Sequence, residues 1–210
     1  MEKSTLVEMK KLLLLLLLAL TFTACKKDDP TVQQEPTLLD TYQPTTQNST
    51  WNYQAYLLGI PNSQFVVTAL GTDSVINNKT YDVFEDPSEA DNFRFTRQDE
   101  DKYYTVLTAA TNLTELLVLD ISKSIGETWV AGVNGTDTYS CTVQDIKASY
   151  TLNNVEYKNV FLINQIRTNA SNQETLNSLN YYAKGIGLID ADGTTNGIPL
   201  RTKITASDIK

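Results

Sequence analysis

The sequence predicts an all-β protein: a single curved antiparallel sheet, open barrel or sandwich, built from two similar hairpin-containing halves. Three observations predict it. Short runs rich in β-branched and aromatic residues recur at intervals of roughly 8–12 residues. Asn, Gly and Pro turn signals separate many of them. A phrase of the first half of the chain returns in the second at a nearly fixed offset.

The predicted strands run in order over 51–58, 64–70, 93–97, 103–108, 115–119, 138–146, 160–167 and 181–189. The turn signals are Pro61-Asn62, Asn77-Asn78, Asn134-Gly135, Asn153-Asn154 and Asp192-Gly193. Residues 169–178 are polar with a weak apolar face and read as a short helix or a polar loop. The Asn pairs have a mechanism, because Asn tolerates positive φ better than other residues with a side chain. A four-residue loop over 77–80 would set Ile76 opposite Tyr81.

The repeat is carried by four matches. Trp51 and Trp129 are 78 apart, and Tyr81 and Tyr157 are 76 apart. Val83-Phe84 and Val160-Phe161 are 77 apart, and Tyr103-Tyr104 and Tyr181-Tyr182 are 78 apart. Small loop insertions account for the drift, and two pseudo-repeats follow, about 51–125 and 126–210.

The N-terminus is read apart from this domain. Lys10-Lys11 precede seven leucines, Leu12 to Leu18, and Ala24 stands just before Cys25. A basic segment, a short apolar core and a small residue make a secretory signal over 1–24. The core is far shorter than the ~20 residues a spanning helix needs. Ala24-Cys25, with Leu20 and Phe22 upstream, resembles a bacterial lipobox. The resemblance implies cleavage by lipoprotein signal peptidase and a covalent diacylglycerol and acyl lipid on Cys25, with no other cofactor. Cys25-Lys26-Lys27-Asp28-Asp29 further resembles lipoproteins of the Bacteroidota. There, a lysine and two acidic residues after the lipidated cysteine resemble a signal for display on the outer face of the outer membrane. A periplasm-facing lipoprotein is the alternative. Residues 25–50, with three prolines, six threonines and four glutamines, read as a flexible tether to a single β domain over 51–210.

Composition narrows the chemistry. The formal charge of the chain is -8, and removing residues 1–24 leaves about -9. No basic surface for nucleic acid is expected. There is no histidine, which removes His-based triads and His metal sites. Cys141, between Tyr139 and Val143 in strand alternation, reads as a buried thiol. Asp190-Ala191-Asp192-Gly193 resembles the start of a calcium loop but lacks a closing carboxylate, so a polar turn is the plainer reading. Asp99-Glu100-Asp101 reads as a solvated hairpin turn. No metal site is expected.

Tyr181-Tyr-Ala-Lys-Gly-Ile-Gly-Leu-Ile189, after the Gly-Glu-Thr-Trp129 segment and the Asn-Asn-x-x-Tyr hairpin, resembles cell-surface lipoprotein domains of the Bacteroidota (Bacteroidetes). That resemblance implies a curved sheet or open barrel and brings no catalytic residues. The aromatics Trp51, Trp129, Tyr103, Tyr104, Tyr181 and Tyr182 are the candidate ligand contacts, for a glycan, a peptide or a small apolar molecule. In each Tyr-Tyr pair, one ring should face away from the other. The expectation is a non-enzymatic binding or interaction module. The alternative is a small envelope glycan hydrolase using paired carboxylates.

Overall fold

The computed structural model describes residues 39–109 and 112–210. They form 12 antiparallel strands in one nearly closed, curved sheet. In chain order these are β1 (Thr50–Leu57), β2 (Ile60–Ile76), β3 (Lys79–Glu85), β4 (Phe93–Asp99), β5 (Lys102–Ala109) and β6 (Asn112–Asp120). The second set is β7 (Thr128–Asn134), β8 (Asp137–Leu152), β9 (Val155–Thr168), β10 (Glu174–Ala183), β11 (Gly187–Thr195) and β12 (Ile198–Asp208). The order across the sheet is β6-β5-β4-β3-β2-β1-β12-β11-β10-β9-β8-β7. Read as a ring, each strand lies beside its sequence neighbour, and β1 closes on β12 from Thr50↔Asp208 to Leu57↔Leu200.

The ring is left open between β6 and β7, where side chains take over from a backbone ladder. Trp129 Nε1 donates to the Leu117 carbonyl at 2.8 Å, and Thr114 and Asn134 meet at 3.3 Å. Gly132 makes this approach feasible: a Cβ there would lie 2.5 Å from the Leu116 side chain and 2.8 Å from the Glu115 carbonyl.

Both Asn pairs lie at hairpin tips with positive φ, at 50° and 62° for Asn77 and Asn78 and 52° and 65° for Asn153 and Asn154. Two successive positive-φ residues make the tight turn whose twist suits a hairpin. The loops hold two residues rather than four, so Ile76 faces Lys79 and Tyr81 faces Ser74. Each of these hairpins folds back over the outside of its own half. From β3, Lys79 and Tyr81 reach past β4 and β5 to Glu115 on β6. Tyr150 on β8 stacks on Tyr181 of β10, and Asn153 donates to the Ile204 carbonyl on β12.

Other expectations are corrected. Residues 181–189 are two strands, because Gly185 at φ 76° and Gly187 at φ 103° turn the chain. Residues 174–178 start β10 and contain no helix, since alternation across the sheet outweighs their polar composition. Pro61-Asn62 lies in β2 and Asp192-Gly193 in β11; the turns fall at Leu58-Gly59 and Asn196-Gly197 instead. Six strands fall in each half, and the Asn-Asn turns join the second and third strand of each. The two tryptophans open the halves on β1 and β7, but Tyr103-Tyr104 sits on the fifth strand of its half and Tyr181-Tyr182 on the fourth. That last match is not a match of equivalent strands.

The tether reading also fails over residues 39–49, which pack on the domain. Gly185 N donates to the Thr41 carbonyl at 2.7 Å, and Tyr42 N donates to the Tyr103 hydroxyl at 3.1 Å. Asn48 N then donates to the Ala69 carbonyl, so the segment links β2, β5 and the β10–β11 turn. Tyr42 is only 6% exposed, edge-on to Tyr103 and Phe161. Threonines, glutamines and prolines satisfy a disorder rule of composition, while one aromatic ring supplies the anchor. Buried apolar side chains form two main clusters, one around Trp51, Phe84 and Ile189, the other around Tyr42, Leu116 and Ile163.

Candidate functional site

A cavity of about 390 Å³ opens beside the second cluster, within the size range of small-molecule sites. Pairing fixes which side chains reach it. Thr96 stands opposite Thr105, Tyr139 opposite Arg167, Arg167 opposite Leu176 and Phe161 opposite Tyr182. Paired residues share a face, so β4 with β5, and β8 with β9 and β10, each turn one face toward the cavity. The apolar part of the wall is Leu107, Leu116, Leu119, Leu176 and Leu188, with the Tyr42 and Tyr139 rings. The polar part is Arg94, Arg167, Thr96, Gln165, Asn180 and Glu89, with Tyr103 and Tyr182; Arg97 and Tyr104 adjoin it, their side chains paired on the opposite face of β4 and β5.

Each arginine is held at one end by its neighbours. Arg94 forms an ion pair with Asp86, whose carboxylate is fully buried, and lies 3.9 Å from Glu89. Ser88 fixes that carboxylate through its amide at 3.0 Å and its hydroxyl at 2.6 Å. Arg97 donates to Glu115 at 2.6 Å and to Asp99 at 3.2 Å, and its guanidinium lies 3.8 Å from the centre of the Tyr104 ring. Arg167 donates through Nε to the Thr175 hydroxyl at 2.8 Å, with Asp137 at 3.8 Å. A guanidinium carries five N–H donors, so these contacts leave capacity over.

Burial raises the Glu89 carboxyl above its ordinary value, against the pull of Arg94. Burial also raises the Tyr182 hydroxyl, which therefore stays a neutral donor at physiological pH. The Tyr42 hydroxyl is pushed up to about 12 by burial, with Tyr103 and Asp40 adding to it. Glu115 is the opposite case. Burial pushes its carboxyl up, but hydrogen bonds from Arg97, Lys79 and Tyr81 outweigh that and bring it down to about 2.

The second half holds a related cluster outside the cavity. Asp190 is 0% exposed inside β11, where the sequence suggested a polar turn. Arg201 grips it with two bonds of 2.9 and 2.5 Å, and the Tyr150 hydroxyl lies at 3.3 Å. The folded-over β8–β9 hairpin covers this pair, so its role is to fasten the hairpin. Among the described residues no group of three or more His, Cys, Asp or Glu side chains is placed to hold a metal ion. Among the described residues Glu89 is the one carboxylate on the cavity wall, and they assemble no two-carboxylate arrangement of a glycan hydrolase there.

The aromatics named from sequence divide. Tyr103 and Tyr182 line the cavity, while the Tyr104 ring faces the other way, under Arg97. Trp51 is buried in the other cluster, donating to the Ile186 carbonyl at 2.7 Å. Trp129 closes the β6–β7 seam, and Tyr181 stacks on Tyr150 at 4.7 Å. Cys25, Lys26, Lys27, Asp28 and Asp29 lie outside the described residues. Cys141 is buried, its thiol pushed up to about 12 by burial. Sequence reasoning missed the arginines and Thr96. The available signal was alternation: in Phe93–Arg97, period 2 puts Arg94 and Thr96 together on one face.

The class defined by this geometry is a meandering 12-stranded sheet curled around a cavity walled by leucine, tyrosine and arginine. No protein-family model matches the chain, and no curated protein matches it. Two solved structures resemble it. One is a candidate lipoprotein from Parabacteroides distasonis ATCC 8503, at 11% identity and a TM-score of 0.44, covering 81% of this chain and 99% of that one. The other is a candidate exported protein with a YmcC-like fold from Bacteroides fragilis NCTC 9343, at 12% identity and a TM-score of 0.42, covering 79% of this chain and 97% of that one.

Proposed function

We propose that this is an exported lipoprotein of the outer membrane, displayed at the cell surface on a lipid at Cys25, whose sheet encloses a small-molecule binding site. The signal segment and Ala24-Cys25 support the anchor, and Lys26 to Asp29 support surface display. The observation that carries the binding reading is the 390 Å³ cavity, which joins an apolar wall to a few converging polar groups. A module of this kind binds without transforming its ligand, and the single carboxylate on the wall favours that over hydrolysis.

The neutral dye N-phenyl-1-naphthylamine, added to the purified full chain, tests the cavity. Saturable fluorescence enhancement is expected, and Leu107→Trp, which fills the apolar wall, should abolish it while leaving the melting temperature within a few degrees. No enhancement in the wild type, or an equal one in Leu107→Trp, would overturn the reading.

A further inference from the structure

We infer that the cavity takes an anionic amphiphile, a molecule with an oxyanion head and an apolar body; the inference rests on the reading of the cavity as a ligand site. The chain has four arginines, and two of them, Arg94 and Arg167, stand on the cavity face of their strands. The background charge is acidic, at -8, so the concentration of arginine here runs against the rest of the molecule. Arg is the side chain best shaped for carboxylate and phosphate oxygens.

A second observation points the same way. Thr96, which lines the cavity, is 5% exposed, and its buried hydroxyl has no hydrogen-bond partner. A buried hydroxyl without a partner is costly, and native structures rarely keep one without cause. It stands on the Arg94 face of β4 and would donate to an oxyanion placed there. The Arg167 guanidinium is the less neutralised of the two, since its nearest carboxylate, Asp137, lies 3.8 Å away. The leucine wall calls for an apolar body, which a bare inorganic anion lacks.

Displacement of N-phenyl-1-naphthylamine from the full chain by decanoate, decyl phosphate and decanol tests this. The three share one alkyl chain and differ in the head. Both anions should displace the dye at concentrations roughly tenfold below decanol at low salt, as charge-assisted hydrogen bonding predicts. The carboxylate and phosphate arms separate a fatty-acid-like ligand from a phospholipid-like one. Arg167→Gln should narrow the gap between anions and decanol without changing decanol. Glu89→Gln removes the opposing carboxylate and should widen it, an effect that simple loss of structure does not produce. Arg94 is left intact because its loss strands the buried Asp86. Equal displacement by all three, or an Arg167→Gln variant weakened alike toward all three, would overturn the inference and leave the cavity reading standing. Absence of dye binding by the wild type would instead remove the cavity reading and this one with it.

Discussion

Tyr42→Ala offers the sharpest test of whether residues 39–49 belong to the folded domain. The ring is 6% exposed and meets Tyr103 at 6.0 Å and Phe161 at 5.4 Å, both edge-on. Truncating a buried aromatic to alanine costs about 3–5 kcal/mol when the site cannot collapse. The Tyr42 ring abuts an existing cavity, so part of its contact area is already lost, and the low end, about 3 kcal/mol, is expected. With a urea slope near 2 kcal/mol/M, the midpoint should fall by about 1.5 M. The slope itself should stay unchanged, because both proteins expose nearly the same surface. Equilibrium urea denaturation followed by tyrosine and tryptophan fluorescence reads this directly. A midpoint within about 0.3 M of the wild type would refute the packing of the segment and return it to a free tether.

The remaining predictions concern a carboxylate, a seam and an anchor. Glu115 has a folded value of about 2 against an ordinary 4.5, so its contribution is present above about pH 4.5 and is lost as pH falls through about 2. Stability of the wild type should drop over that window by about 2 kcal/mol, allowing for its partial exposure, and Glu115→Gln should flatten the profile there. Acid titration of the urea midpoint measures both. Gly132→Ala should cost about 1–3 kcal/mol, because its new methyl meets the Glu115 backbone, and amide exchange should speed up first in β6 and β7. Cys25→Ala should abolish incorporation of labelled palmitate and release the chain from membranes, and protease treatment of intact cells should cleave the wild type. Protection until the envelope is broken would place it facing the periplasm.

The strand class was legible because alternation is a local signal. Trp51–Leu58 differs from β1 by a single residue at each end, and both Asn-Asn turns fell where positive φ was needed. Errors came where a distant partner decides. Asp190-Ala-Asp-Gly193 looks like a turn by composition, yet Arg201 from the next strand neutralises Asp190 and lets the strand run on. Gly193 has a non-turn role too, since a Cβ there would lie 2.0 Å from the Asn177 carbonyl of β10. Of the site, Tyr103 and Tyr182 were named in advance and Arg94 and Arg167 were not. Aromatic residues stand out as candidate platforms in any sequence, whereas the convergence of Arg94 and Arg167 exists only once β4 and β9 face a common interior.

The pairing of β1 with β12 sets the order in which this protein can be completed. Thr50 must wait for Asp208, and the Lys210 amide ends by donating to the Ser49 hydroxyl at 3.1 Å. The ring cannot shut until β12 is available to pair with β1. Contacts this remote in sequence form slowly. Until β12 arrives, β1 has a partner on one side only, so closure of the ring is a late event in folding.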